Sequence, residues 1–112
     1  FSSSFKDVPN NIRETTIQKA LQNITKEDDL FDILSKVSDN MQIFVAGFIL
    51  GLNNKIPLIL AGGTQMASVL LIVNKILEVM QGELNTSNLA LATTLWVVKD
   101  QNSDIKGLLE LL

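Results

Sequence analysis

Residues 56–67 read Ile-Pro-Leu-Ile-Leu-Ala-Gly-Gly-Thr-Gln-Met-Ala, and this stretch decides the fold. Its first half is a short apolar run typical of a buried strand, in which Pro57 is tolerated only at a strand beginning or an unpaired edge. A double glycine, Gly62-Gly63, follows, and an apolar helical pattern starts at once. Such an arrangement points backbone N–H groups at a helix N-terminus toward the end of a strand, where anions such as phosphate bind well.

The residues after the double glycine predict a strand–helix–strand unit. Apolar spacing indicates a long helix that ends at Gly82, and a second buried strand starts at Leu89. This strand ends either near Thr93-Thr94 or at Val98. Because a crossover helix joins parallel strands, both strands end at one edge of the sheet, where open α/β sheets bind ligands.

The chain divides into an opening loop over residues 1–10, a helical segment over 11–54, and a strand–helix–strand–helix segment over 55–112. In the helical segment, residues 41–52 are apolar nearly all the way round, which predicts a helix buried on every side. Gly47 and Gly51 would let a neighbouring backbone approach that helix closely. The expected fold class is α/β, a Rossmann-like parallel sheet fragment with a βαβ unit and flanking helices.

Composition excludes several kinds of site. The 112 residues include no His and no Cys, so histidine- or thiolate-based metal sites and catalytic triads are excluded. With a net charge of −3 and no cluster of basic residues, we expect no nucleic-acid partner. The longest uncharged run contains Pro57 and the double glycine, so we expect no membrane span. We also expect no metal and no cofactor. No signal peptide is visible, which predicts a cytoplasmic protein.

The first candidate site is Gly62, Gly63, Thr64 and Gln65, expected to bind phosphate or a nucleotide. Glycine allows close approach and positive φ, the Thr64 hydroxyl can donate to phosphate, and the helix dipole adds about half a positive charge. The motif is neither a Walker A loop nor a full dinucleotide fingerprint. The alternative is a tight strand-to-helix turn with Thr64 as the helix cap.

Two further groups of polar residues are candidates for lining the same cleft. Asp39, Asn40 and Gln42 stand at the start of the most apolar helix, where they either cap it or bond a ligand heterocycle or ribose. Thr93 and Thr94 stand at the end of the second strand, where they either fill the strand or present hydroxyls to the cleft.

Four segments, taken in order, resemble one family. They are Ser-Ser-Ser at 2–4, Asp-Asn-Met-Gln-Ile-Phe-Val-Ala-Gly at 39–47, Leu-Ala-Gly-Gly-Thr-Gln-Met at 60–66, and Thr-Thr-Leu-Trp-Val at 93–97. Together they resemble the archaeal type of nicotinate-nucleotide–dimethylbenzimidazole phosphoribosyltransferase, which makes the lower-ligand nucleotide of cobalamin. The resemblance covers nearly the whole chain and corresponds to the C-terminal third of the family's length.

The resemblance implies a Rossmann-like fold, usually dimeric, and transfer of phosphoribose from nicotinate mononucleotide to a benzimidazole-like or purine base without a metal. The family's general base is a glutamate in a Gly-Glu-Gly-like segment that this sequence lacks. Glu83 follows Gly82 at a helix end and Glu110 lies in an apolar tail, so no catalytic base is assigned. The alternative function is a non-catalytic nucleotide- or base-binding module, or an oligomerisation domain.

Two strands are too few for a stable sheet. We therefore expect a homodimer, or packing against an N-terminal part absent from this sequence.

Overall fold

A computed structural model describes residues 10–101 and 103–112. Its elements, in chain order, are α1 (Asn10–Gln22), α2 (Leu30–Val37), α3 (Asn40–Leu52), β1 (Leu58–Ala61), α4 (Thr64–Val79), β2 (Leu89–Ala92), α5 (Leu95–Val98) and α6 (Ile105–Leu109). This is a mixed α/β arrangement with a two-stranded parallel sheet and flanking helices, compatible with a fragment of a Rossmann-like fold.

The sheet is built from β1 and β2 in parallel, with Leu58 opposite Leu89 and Ala61 opposite Ala92. Because side chains alternate along a strand, the two faces of the sheet differ. Leu60 is buried in the core, whereas its neighbour Ile59 is 68% exposed on the opposite face. The second strand ends at Ala92, which decides between the two ends that the sequence left open.

Helix α4 is the crossover and the centre of the core. Val69 and Val73 on this helix are fully buried, and they cluster with Leu60 of β1 and with Ala46 and Ile49 of α3. The helix ends as the sequence predicts, just before Gly82, whose N–H donates to the Leu77 carbonyl at 2.8 Å. The residue in the left-handed conformation there is Gln81 (φ 58°), not the glycine.

Helix α3 differs from its sequence prediction. One side of the helix packs on the core through Ala46 and Ile49, but the opposite side is open, and Phe44 there is 74% exposed. A side chain added at Gly47 or Gly51 would meet nothing within 4 Å. The prediction of a helix buried on every side is therefore wrong for the described residues, because α4 and the sheet cover only one side of it.

At the amino edge of the sheet, hydrogen bonds connect the loop before β1 with the loop before β2. Asn54, in the left-handed conformation (φ 58°), donates from Nδ2 to Ser87 Oγ at 3.0 Å. Its Oδ1 accepts the Asn88 N–H at 3.2 Å, and its carbonyl accepts Asn88 Nδ2 at 2.9 Å. The Asn88 carbonyl in turn accepts the N–H of Leu58, the first residue of β1, at 2.8 Å. These bonds fix the amino end of both strands.

None of the helices within residues 10–101 and 103–112 has the length and apolar character needed to cross a lipid bilayer.

Candidate functional site

The carboxyl edge of the sheet brings together the segments that follow the two strands. Gly62 comes directly after β1, and its N–H donates to the carbonyl of Ala92, the last residue of β2, at 2.9 Å. Thr93 and Thr94 follow Ala92, so the double glycine and the threonine pair share one edge, as parallel topology requires.

The N-terminus of α4 lies at this edge and carries no side-chain cap. Gly63 is the capping residue, and Thr64 is the first residue of the helix rather than its cap. The Thr64 carbonyl accepts the Ser68 hydroxyl at 3.0 Å. By contrast, an aspartate or threonine oxygen accepts an N–H in the first turn of α2, α3, α5 and α6. The first turn of α4 thus leaves donors for an external acceptor, with about half a positive charge behind them.

Neither Gly62 nor Gly63 adopts a left-handed conformation, and only Gly62 is required by close packing. No glycine among the described residues has a positive φ. A Cβ at Gly62 would lie 2.8 Å from Met66 Cγ, and one at Gly63 would lie 3.5 Å from Val97 Cγ2. Gly62 therefore lets the Met66 side chain lie against the backbone, while Gly63 has room for a methyl group.

A cleft of about 440 Å³ opens beside the first turn of α4. Three of the residues selected from sequence, Gln42, Thr64 and Gln65, line it together. Its other lining residues are Arg13, Ser68, Ser103, Asp104, Gly107, Leu108 and Leu111. A polar cleft of this volume lies within the range that holds small molecules.

The other candidate residues lie outside that lining. Asp39 caps α3, because its Oδ1 accepts the Gln42 N–H at 2.8 Å while Gln42 Oε1 accepts the Asp39 N–H at 3.4 Å. Asn40 is the exposed first residue of the same helix. Thr94 caps α5 by accepting the Val97 N–H at 3.4 Å. The Thr93 hydroxyl is buried with no hydrogen-bond partner among the described residues.

Sequence reasoning missed the charged residues of the cleft. Arg13 is the single arginine of the chain, and no carboxylate in the described part of the chain pairs with it. Asp104 caps α6 through an Oδ1 that accepts the Gly107 N–H at 2.9 Å. The Ser103 hydroxyl beside it is buried without a partner among the described residues. The capping pattern could have located Asp104, but only tertiary packing places Arg13 of α1 beside α4.

A second cavity, of about 80 Å³, lies at the amino edge of the sheet and includes Glu83 in its lining. It is too small for a nucleotide. Across residues 10–101 and 103–112, no group of three or more acidic side chains is arranged to hold a metal ion.

No known protein-family profile matches this sequence. The chain is similar to several UPF0284 proteins. It is 34% identical to that of Picosynechococcus sp. over 99% of this chain and 31% of the relative. It is also 34% identical to that of Aeropyrum pernix over 97% of this chain and 30% of the relative, and to that of Methanocaldococcus jannaschii over 97% and 31%. The chain thus spans about 30% of the length of these curated relatives, whose name states no activity.

Proposed function

We propose that this chain is part of a phosphoribosyltransferase that moves phosphoribose from nicotinate mononucleotide to a benzimidazole-type base, as in assembly of the cobalamin lower ligand. The observation that carries the proposal is the uncapped N-terminus of α4 at the carboxyl edge of the sheet, beside a 440 Å³ polar cleft. The resemblance of residues 60–66 to the phosphoribosyltransferase family supports the same reading.

In this proposal the nucleotide phosphate binds at the first turn of α4. Backbone N–H groups from Thr64 and Gln65 donate to its oxygens, and the Arg13 guanidinium, which forms no ion pair within the described residues, supplies the countercharge from α1. Arginine suits this role because its planar fork matches two phosphate oxygens at once.

The remaining polar groups of the cleft suit a sugar and a base better than a second phosphate. Asp104 brings a carboxylate that accepts hydrogen bonds from ribose hydroxyls and repels further anions. The amides of Gln42 and Gln65 both donate and accept, which matches the mixed edges of a heterocycle.

The proposal assigns binding, not proton transfer, to this chain. Glu83 lies at the amino edge, at the other end of the strands from the cleft, and Glu110 is exposed. No segment resembling Gly-Glu-Gly is present. No residue of this chain is therefore assigned as the general base of the reaction.

The second candidate function is a non-catalytic nucleotide- or base-binding module, or an oligomerisation domain, related to that family. The absence of the family's glutamate segment favours this alternative. The binding module shares the phosphate site with the enzyme, whereas the oligomerisation domain needs no ligand.

The test replaces Thr64 by proline. Proline is well tolerated at the first position of a helix, so Thr64→Pro removes one N–H donor without breaking α4. A charge-assisted hydrogen bond is worth about 1.5–3 kcal/mol, so we expect at least a roughly 10-fold weaker affinity for inorganic phosphate and nicotinate mononucleotide. Isothermal titration calorimetry measures both affinities.

Two matched controls sharpen the result. Thr64→Val removes the hydroxyl but keeps the N–H, and its affinity should fall less than that of Thr64→Pro. Arg13→Gln should weaken phosphate binding, whereas Lys19→Gln, an exposed cation of the same helix, should not.

Equal affinity of Thr64→Pro and the parent chain would contradict the phosphate site. Turnover is tested on the full-length protein, with nicotinate release followed by chromatography in the presence of a benzimidazole base. Binding of nicotinate mononucleotide without release of nicotinate would favour the non-catalytic module. No binding of either ligand would favour the oligomerisation domain.

A further inference from the structure

Gly107, a glycine of α6 that lines the cleft, leaves space for a charged side chain. A Cβ added to Gly107 would overlap Asp104 Oδ2 and lie 2.9 Å from Asp104 Cγ, whereas one added to Gly47 or Gly51 would meet nothing within 4 Å. The φ of Gly107 is not positive, so its backbone conformation does not require glycine. The missing side chain at this position therefore makes room for the Asp104 carboxylate.

The two oxygens of the Asp104 carboxylate differ in their partners. Oδ1 accepts the Gly107 N–H at 2.9 Å and so caps α6. Oδ2 occupies the place of a Gly107 side chain and forms no hydrogen bond or ion pair with another described residue. Because the cap bond and the space at Gly107 fix the carboxylate, Oδ2 is an acceptor held in position at the lining of the 440 Å³ cleft.

A second oxygen next to Asp104 also lacks a partner. The Ser103 hydroxyl belongs to the cleft lining, is shielded from solvent and forms no hydrogen bond within the described residues. A shielded hydroxyl without a hydrogen bond is costly unless a bound group supplies its partner. Since Ser103 and Asp104 are neighbours in the chain, their two oxygens suit two adjacent hydroxyls of one ligand.

The cleft contains charges of both signs that do not neutralise each other. Arg13 and Asp104 both line it, yet they form no ion pair with each other. Arg13 and the uncapped first turn of α4 attract an anion, whereas the Asp104 carboxylate repels an anion and accepts hydrogen bonds from neutral donors. A sugar phosphate with adjacent free hydroxyls meets both requirements in one molecule.

We propose that Asp104, positioned by Gly107, makes the cleft selective for ribose 5-phosphate units whose 2-hydroxyl is free. Asp104 Oδ2 accepts a hydrogen bond from the 2-hydroxyl, and Ser103 Oγ bonds the neighbouring 3-hydroxyl. A 2-deoxyribose leaves Oδ2 without a partner, and a phosphate on the 2-hydroxyl meets the carboxylate charge, so both are rejected. The inference rests on the proposed function, because it requires the 5-phosphate to bind at the first turn of α4.

Isothermal titration calorimetry on the full-length protein, with ribose 5-phosphate and 2-deoxyribose 5-phosphate, tests the selectivity. One charge-assisted hydrogen bond supports at least a roughly 10-fold preference for ribose 5-phosphate in the parent protein. Gly107→Ala should bring the two affinities to within roughly 2-fold of each other, because the added methyl group displaces Oδ2. Asp104→Asn, which can still cap α6, should reduce the preference in the same direction.

Two controls separate selectivity from a change in the fold. Gly51→Ala makes the same substitution at a helical glycine outside the cleft lining and should keep the full preference. Inorganic phosphate has no sugar hydroxyls, so its affinity should not fall in Gly107→Ala. We expect α6 to stay folded in that variant, because only the end of a side chain has to move and alanine is the better helix former.

The outcomes distinguish this inference from the proposed function. A parent protein that binds no phosphate would contradict the proposed function and with it the selectivity. Phosphate binding with equal affinity for the two sugar phosphates would overturn the selectivity alone, as would a preference that Gly107→Ala and Asp104→Asn leave unchanged. Equal losses of phosphate and ribose 5-phosphate affinity in Gly107→Ala would also overturn it, since they would assign the effect to the cleft as a whole.

Discussion

At the scale of single residues, the best-defined charge contact joins the turn before α2 to the end of that helix. The Lys36 ammonium lies 2.7 Å from both carboxylate oxygens of Asp28, and the Thr25 N–H donates to the same carboxylate at 2.7 Å. The hydrogen bond from Lys36, followed by that from the Thr25 backbone, holds the pKa of Asp28 below its ordinary value. The Asp28 carboxylate thus connects Thr25, before the turn, with Lys36, in the last turn of α2.

This contact predicts a pH-dependent contribution to stability. Since the pKa of Asp28 is lower in the folded state than in the unfolded chain, its contribution is present above the unfolded value near 4 and is lost as the pH falls through the folded value. We expect Asp28→Asn to melt at a lower temperature than the parent chain at pH 7. The difference should vanish in acid, as thermal denaturation at several pH values would show.

The neighbouring carboxylate provides the control for Asp28. Glu27 is exposed, and Glu27→Gln should change the melting temperature little at any pH. A difference between Asp28→Asn and the parent chain that persists unchanged in acid would assign the effect to something other than the ionised carboxylate.

At the scale of elements, α4 is central to the stability of the described fold. It contacts α3 and α6, and its buried side chains cluster with Leu60 of β1. Val73→Ala removes two methyl groups from a fully buried position and leaves a cavity. We expect a loss of about 2 kcal/mol in the free energy of unfolding, measured by urea denaturation. Val79→Ala makes the same change at an exposed position of the same helix and should cost less than about 0.5 kcal/mol. Equal losses would contradict this packing.

The elements also show where sequence patterns suffice. The β1–α4–β2 unit was predicted correctly because strand and helix periods differ and Gly62 and Gly82 mark the boundaries. Helix α5 was not predicted, because its four residues, Leu95–Val98, are apolar and partly β-branched, like a strand. Only the Thr94 cap distinguishes the two, and a single cap residue is a weak signal.

The cleft was predictable only where it depends on local sequence. Thr64 and Gln65 follow from the strand–helix junction, and Gln42 follows from the start of a helix. Arg13 and Ser103 reach the cleft from elements distant along the chain, so their position depends on how α1 and α6 pack. For the same reason the open side of α3 could not be foreseen, since the helix is apolar on every side and its pattern contains no information about what covers it.

At the scale of the whole molecule, the two ends of the sheet are built differently. The amino edge has backbone and side-chain hydrogen bonds from Asn54 to Ser87 and Asn88, across more than thirty residues of chain. At the carboxyl edge, the Gly62 N–H bond to Ala92 lies beside an open cleft and an uncapped helix.

We call the amino edge of the sheet, which the Asn54 hydrogen bonds hold, the hinge end, and the carboxyl edge, next to the first turn of α4, the mouth. Partial separation of the strands should begin at the mouth, so we expect the Gly62 amide to exchange with deuterium faster than the Leu58 amide. Asn54→Gly keeps the left-handed backbone but removes the hinge bonds of the side chain, and the Leu58 amide should then exchange nearly as fast. Asn53→Gly, at the adjacent left-handed residue, is the control.

Equal protection of the two amides in the parent chain would contradict the hinge. If the hinge end stays closed, a phosphate bound at the first turn of α4 lies near Gly62 and slows deuterium exchange of the Gly62 amide alone. The exchange rate of one backbone amide at the mouth would then report ligand binding, while the exchange rate of the Leu58 amide at the hinge end would not change.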